Sequence, residues 1–106
     1  MEIRYHQGAL RDLGETREYL LLRSPLTARK FKSELKALVE KLAEHPGFGF
    51  PIGADYGFRK APFRTLPWSV IYVPDEIEGV LWVMTVRHRA QNSTFGLERR
   101  IPGNEP

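Results

Sequence analysis

Cysteine is absent from the 106 residues, methionine occurs twice and histidine three times. Without cysteine there is no disulfide framework, no thiolate zinc cluster and no cysteine nucleophile, so a reducing compartment fits and metal chemistry is disfavoured. Long apolar runs are also missing. The longest, Val80 to Val86, holds seven residues including Thr85, far short of the ~20 that a membrane helix needs. The opening Met1-Glu2-Ile3-Arg4-Tyr5-His6 has an acid at position 2 and no apolar run after its first base, unlike a signal peptide. A cytoplasmic protein with no membrane span is expected. There is no G-x-x-x-x-G-K-[ST], no G-x-S-x-G, no His pair at metal spacing, and no close carboxylate pair outside Asp75, Glu76 and Glu78. No cofactor is expected, and any catalysis must be built from Arg, Lys, His and Tyr.

What is present is the composition of one ordinary globular domain: 42% hydrophobic, 27% charged, 9 Gly and 8 Pro. Residues 1–106 leave no room for a second domain. Sixteen Lys+Arg against thirteen Asp+Glu give a net charge of +3, and its distribution says more than its sum. Residues 56–73 carry Arg59, Lys60 and Arg64 with no acid, and residues 79–97 carry Arg87 and Arg89 with no acid. In the first half, Glu alternates with Lys and Arg at helical spacing, as on a solvated helix face.

Ile3 to Tyr5 reads as a short opening strand. From about Gly8 the period changes, and Ala9, Leu13, Thr16 and Leu20 form one helical stripe. Ser24-Pro25 reads as an N-cap followed by proline at the first helical position. The second helix carries Ala28, Phe31, Leu35, Leu38, Val39, Leu42 and Ala43 within an arc of roughly 140° and stops at Pro46-Gly47. After a breaker-rich connection from Gly47 to Gly57, the stretches Phe58 to Phe63, Trp68 to Val73 and Val80 to Val86 read as strands, the last two joined through Pro74 to Gly79. The expected fold is a two-layer α+β domain, β-α-α-β-β-β, with a helical hairpin packed on one face of an antiparallel sheet. The other face would be free to work. The tail from Asn92 to Pro106, and 102–106 above all, is expected to fray.

Strict alternation along the last strand groups Val80, Trp82, Met84, Val86 and His88 as core, against Leu81, Val83, Thr85, Arg87 and Arg89. Arg87 and Arg89 would then join Arg59, Lys60 and Arg64 in a cationic patch. Such a patch binds phosphates and can stabilise the extra charge that builds up when a phosphodiester is attacked. The competing reading is a solvated sheet edge kept basic against aggregation. His88 suits proton transfer near neutral pH, although its parity favours a structural histidine unless a bulge turns it outward. Tyr72, Trp68 and Phe63 read first as core, and secondly as a phosphate contact and two base-stacking platforms. His6 and His45 read as exposed or helix-capping.

A longer pattern connects these pieces. Ala9-x-x-Asp12-Leu13, Tyr19-Leu20, Ser24-Pro25-x-x-Ala28-x-x-Phe31-x-x-x-Leu35, Leu42 and Pro46-Gly47 come first, then Arg59, Leu66-Pro67-Trp68-x-Val70-Ile71-Tyr72 and Val86-x-His88-Arg89. Their order and spacing resemble the RelE/ParE toxin superfamily over most of the chain. The sequence departs from the family's usual Phe-Pro-Tyr at Leu66-Pro67-Trp68, and from its second arginine and its proline after the histidine at Ala90 and Ser93.

The resemblance implies the toxin of a type II toxin–antitoxin pair, of plasmid-stabilisation type, wrapped and neutralised by an antitoxin protein in a hetero-oligomer. It leaves the target open. A metal-independent endoribonuclease would cut ribosome-bound mRNA by attack of the RNA's own 2′-hydroxyl. Arg64 and Arg87 would clamp the phosphate and His88 or Tyr72 would handle a proton, with Arg59, Lys60 and Arg89 holding the RNA. A non-enzymatic poison would bind DNA gyrase instead. An inactive relative would only bind its antitoxin, or RNA.

Overall fold

Ser24 organises the helical hairpin from both sides. Its N–H donates to Leu20 O at 2.7 Å and closes α1 (Gln7–Arg23), while its Oγ accepts from Thr27 N at 3.3 Å and opens α2 (Pro25–Glu44). His6 caps α1 with Nδ1, which accepts from Gly8 N at 2.9 Å. The computed structural model describes residues 1–53, 56–91 and Leu97. The tail read from sequence, Asn92 to Pro106 with 102–106, lies outside them except for Leu97.

Five strands form one sheet: β1 (Glu2–Tyr5), β2 (Phe50–Pro51), β3 (Arg59–Pro62), β4 (Trp68–Asp75) and β5 (Val80–His88), in the order β1-β5-β4-β3-β2. The two-layer α+β arrangement is present with two additions. β1 pairs parallel to β5, Glu2 opposite Val80 and Tyr5 opposite Val83, so the sheet is mixed. The two-residue β2 extends the other edge against β3. The parallel pair follows from the crossover: the chain leaves β1, makes two helices and three antiparallel strand connections, and returns beside its start.

The helices bury Ala9, Leu20, Phe31, Leu38, Val39 and Leu42 against Ala61, Phe63, Val70, Tyr72, Leu81, Val83 and Val86 of the sheet layer. Each fully buried large side chain contributes about 1.5–3 kcal/mol. Strict alternation on β5 fails at one place. A register shift at Ile71/Tyr72 pairs Ile71 with Thr85 but Tyr72 with Val83, leaving Met84 as an extra residue on β5. The bulge exchanges the faces. Leu81 and Val83 pack under the helices and Trp82 and Met84 on the reverse, while beyond the bulge Val86 returns to the helix side.

The reverse face is not free either. Phe58, Ile71, Met84 and Leu97 form a second buried cluster, with Ile52, Val73 and Trp82 packed against it. Leu97 is fully buried, so at that position the tail belongs to the core. Among the described residues no helix is long and apolar enough to cross a membrane.

Candidate functional site

The sequence-derived site residues separate into two groups. Tyr72 is fully buried, and its hydroxyl donates to Pro46 O at 2.7 Å and accepts from Gly49 N at 2.8 Å. Both partners belong to the turn after α2, so the phosphate contact and the proton-handling role expected of Tyr72 do not fit its place. Arg59 stands opposite Tyr72 across the β3–β4 ladder. Its Nε donates to Gly49 O at 3.0 Å, and Nη2 donates to Gly49 O at 2.6 Å and to Gly47 O at 3.1 Å. The guanidinium therefore clasps a turn. Gly49 is required there, because a Cβ would lie 2.7 Å from both Lys60 O and the Tyr72 hydroxyl.

Lys60 is half-buried beside these residues, paired with Ile71 on one side and Phe50 on the other. The other cations gather at the far end of the sheet. Arg64 lies exposed in the β3–β4 connection. That connection is held by Glu34 on α2, whose carboxylate accepts from Thr65 N at 2.7 Å, Thr65 Oγ1 at 2.5 Å and Leu66 N at 3.3 Å. Burial opposes the charge of Glu34. The bonds from Thr65 and Leu66, with Lys30 nearby, outweigh it and hold the carboxyl below its usual range. Arg89 follows β5, is exposed, and is fixed by its backbone N–H to Pro67 O at 2.9 Å.

His88 closes β5 opposite Trp68, with the two rings edge to face at 4.9 Å. Its Nδ1 accepts from Ala90 N at 3.1 Å, and its backbone N donates to Gln91 Oε1 at 2.8 Å. An acceptor at Nδ1 puts the proton of the neutral ring on Nε2. Trp68 in turn meets Phe31 edge to face at 5.4 Å, and Phe31 meets Phe63 at 5.0 Å with the rings tilted by 44°. Phe63 is buried and Trp68 half-buried, so both take the core reading.

His88 and Arg87 open onto α1. One cleft of about 440 Å³ is lined by Glu15, Thr16, Tyr19, Trp68, His88 and Gln91. A second of about 210 Å³ adjoins it through Glu15, Thr16 and Gln91, and adds Asp12, Thr85, Val86 and Arg87. Asp12 accepts from Thr85 Oγ1 at 2.5 Å, bonding α1 to the bulged part of β5. Sequence reasoning missed these carboxylates. The signal that could have found them is their spacing, since Asp12, Glu15 and Thr16 sit at i, i+3 and i+4 on one helix face.

A further surface lies on the hairpin. Leu13, Leu20, Leu21, Ala28, Phe31 and Leu35 line a groove of about 340 Å³ between α1 and α2, rimmed by Arg17, Arg29 and Lys32. Leu22 on α1 and Leu26 on α2 are 89% and 73% exposed.

A family model described as the ParE toxin of a type II toxin–antitoxin system, parDE, matches residues 3–93. Comparison with curated proteins gives no match. The fold is similar to that of the chromosomal ParDE system from P. aeruginosa, with a TM-score of 0.66 and 20% identity over 83% of this chain and 95% of that one. It is also similar to the intact E. coli RelBE toxin–antitoxin complex, with a TM-score of 0.57 and 13% identity over 82% and 94%. The isolated E. coli RelE toxin aligns at a TM-score of 0.58 and 14% identity over 89% of each chain. Helical hairpin, mixed sheet and a family match over residues 3–93 lead to one assignment: the chain belongs to the ParE toxin family of type II toxin–antitoxin systems, within the RelE/ParE superfamily.

Proposed function

We propose that this toxin arrests growth by binding a protein target, DNA gyrase, and not by cutting mRNA. The observation that carries the reading is how the chemistry-bearing side chains are occupied. Tyr72 and Arg59 spend their polar ends on the turn after α2. Arg87 and His88 share their clefts with Asp12 and Glu15, and two carboxylates beside a phosphodiester raise the energy of the charge that develops on it. Protein recognition has no such requirement. Purified toxin added to gyrase, ATP and relaxed plasmid should abolish supercoiling, while message on translating ribosomes stays intact. New toxin-dependent mRNA ends, with supercoiling unaffected, would overturn the reading.

Cleavage of mRNA keeps one observation in its favour. Arg64, Arg87, His88 and Arg89 come to the same end of the sheet, where the Arg89 N–H meets Pro67 O and His88 pairs with Trp68. The ribosome arm of the same experiment tests it.

The cognate antitoxin, on this proposal, lays an amphipathic acidic segment along the hairpin groove. Apolar side chains would cover Leu13, Leu21, Phe31 and Leu35, and carboxylates would meet Arg17, Arg29 and Lys32. The toxin would act in the cytoplasm, where gyrase works.

A further inference from the structure

In the larger cleft between α1 and the end of β5, several polar groups converge with bonding capacity that no described residue takes up. The Glu15 carboxylate makes no hydrogen bond or ion pair with any described residue. Among the same residues, Gln91 uses its Oε1 alone, on the His88 N–H, and the His88 ring uses Nδ1 alone. Aromatic surface from Tyr19 and Trp68 lines the same cleft. Tyr19 already takes one guanidinium, with Arg23 Cζ at 4.5 Å from its ring centroid.

We propose that this cleft receives an arginine side chain presented by a partner protein, which rests on the reading of the toxin as a protein-binding poison. The planar guanidinium offers paired N–H donors to the Glu15 carboxylate and a flat face to the aromatic rings, a combination an ammonium lacks. Two further lining groups are donors, the His88 Nε2–H and the Gln91 amide, and they suit the backbone carbonyls that flank an arginine in a peptide. Charge selects against the obvious competitor. A nucleotide could stack in the cleft, but its phosphate would approach Glu15 and Asp12. Arg87 lines the adjoining cleft with Asp12 and Glu15 and does not line this one.

The test titrates full-length 15N-labelled toxin with acetyl-Gly-Arg-Gly-amide, following the Trp68 indole and Gln91 amide signals. Saturable shifts confined to the cleft are expected. Binding should weaken at least tenfold for Glu15→Gln, whose thermal midpoint should match the parent because Glu15 is exposed. It should weaken equally for the citrulline peptide, which keeps the shape and loses the charge. Absence of cleft-specific shifts, or equal binding of the citrulline peptide, would overturn the proposal. So would displacement of the peptide by guanosine 5′-monophosphate at lower concentration, which would mark a nucleotide site. The gyrase assay fails or succeeds independently, since the peptide titration requires no gyrase.

Discussion

Arg59 and Tyr72 face one another across β3 and β4 and spend their polar ends on the same short turn, Pro46 to Gly49. The two residue types that phosphodiester chemistry prizes are here the clamp that holds the end of α2 to the sheet. The clamp works because the turn offers four backbone groups in a small space: the carbonyls of Pro46, Gly47 and Gly49 and the N–H of Gly49. Without these two side chains, the buried Gly49 N–H would be left unpaired.

Tyr72→Phe should therefore act on stability. Removing the hydroxyl strands Gly49 N at a buried position and leaves Pro46 O without its donor at a part-buried one, a cost of about 1–3 kcal/mol. At about 4–8 °C per kcal/mol for a domain near this size, calorimetry should show a clear fall in the thermal midpoint. Below that midpoint, gyrase inhibition per folded molecule should stay near the parent's. A variant with parental stability and no activity would return Tyr72 to the site.

Glu34 makes the connection before β4 sensitive to acid. Its carboxyl is held below the unfolded value of 4.5, because the bonds from Thr65 and Leu66 outweigh the opposing effect of burial. A depressed carboxyl contributes stability that is fully present above pH 4.5 and is lost as pH falls through the folded value. Because the group is largely solvated, Glu34→Gln should cost only about 1 kcal/mol at about pH 7. Thermal melts from neutral pH down to about pH 3 should show the two proteins converging at the acid end. A gap that is constant across the range would show that shape, not charge, holds the connection.

Much of this fold is legible before any coordinates, and the reason lies in particular residues. Ser24-Pro25 marks the hairpin because both its cap and its proline act locally. Phe31, Leu38, Val39 and Leu42 mark the buried face of α2 because helical period is a local property. The bulge at Met84 is not local. It is set by how β5 registers against Ile71 and Tyr72, and one extra residue exchanges every face beyond it. The occupied reverse face escaped for a related reason, since Leu97 lies in a stretch whose polar composition reads as tail. For the candidate site, the clustered cations were visible as a run without acids. Their division was not, because the carbonyls that take up Arg59 and the carboxylates beside Arg87 come from elements distant in sequence.

On the hairpin, Leu21→Glu together with Arg29→Glu reverses the character of the groove without touching a buried contact, since both residues are exposed. The double variant should stay folded with a thermal midpoint close to the parent's. It should lose antitoxin affinity by at least tenfold, as expected when an apolar contact is removed and a like charge is placed against an acidic segment. Isothermal titration with the cognate antitoxin checks this, and co-expression should show growth arrest that the antitoxin no longer relieves. Undiminished affinity would move the antitoxin to another face.

Leu97→Ala tests whether the second cluster contributes to the stability of the whole domain. Leu97 is fully buried against Phe58, Ile71 and Met84, on the side of the sheet that the helices do not cover. Removing three carbons there takes away their transfer free energy and leaves a cavity that a sheet on one side resists closing, a cost of about 2–5 kcal/mol. That is a large part of the stability of a domain of this length. Urea titration should show a matching fall in the midpoint with a similar slope, because the surface exposed on unfolding hardly changes. Hydrogen exchange gives the finer readout: sheet amides of Ile71 and Met84 should lose protection together with the helix amides of Leu38 and Val39, which belong to the other cluster. Loss confined to the sheet amides would mean that the two clusters unfold separately and that the sheet beneath Leu97 can open while the hairpin stays closed.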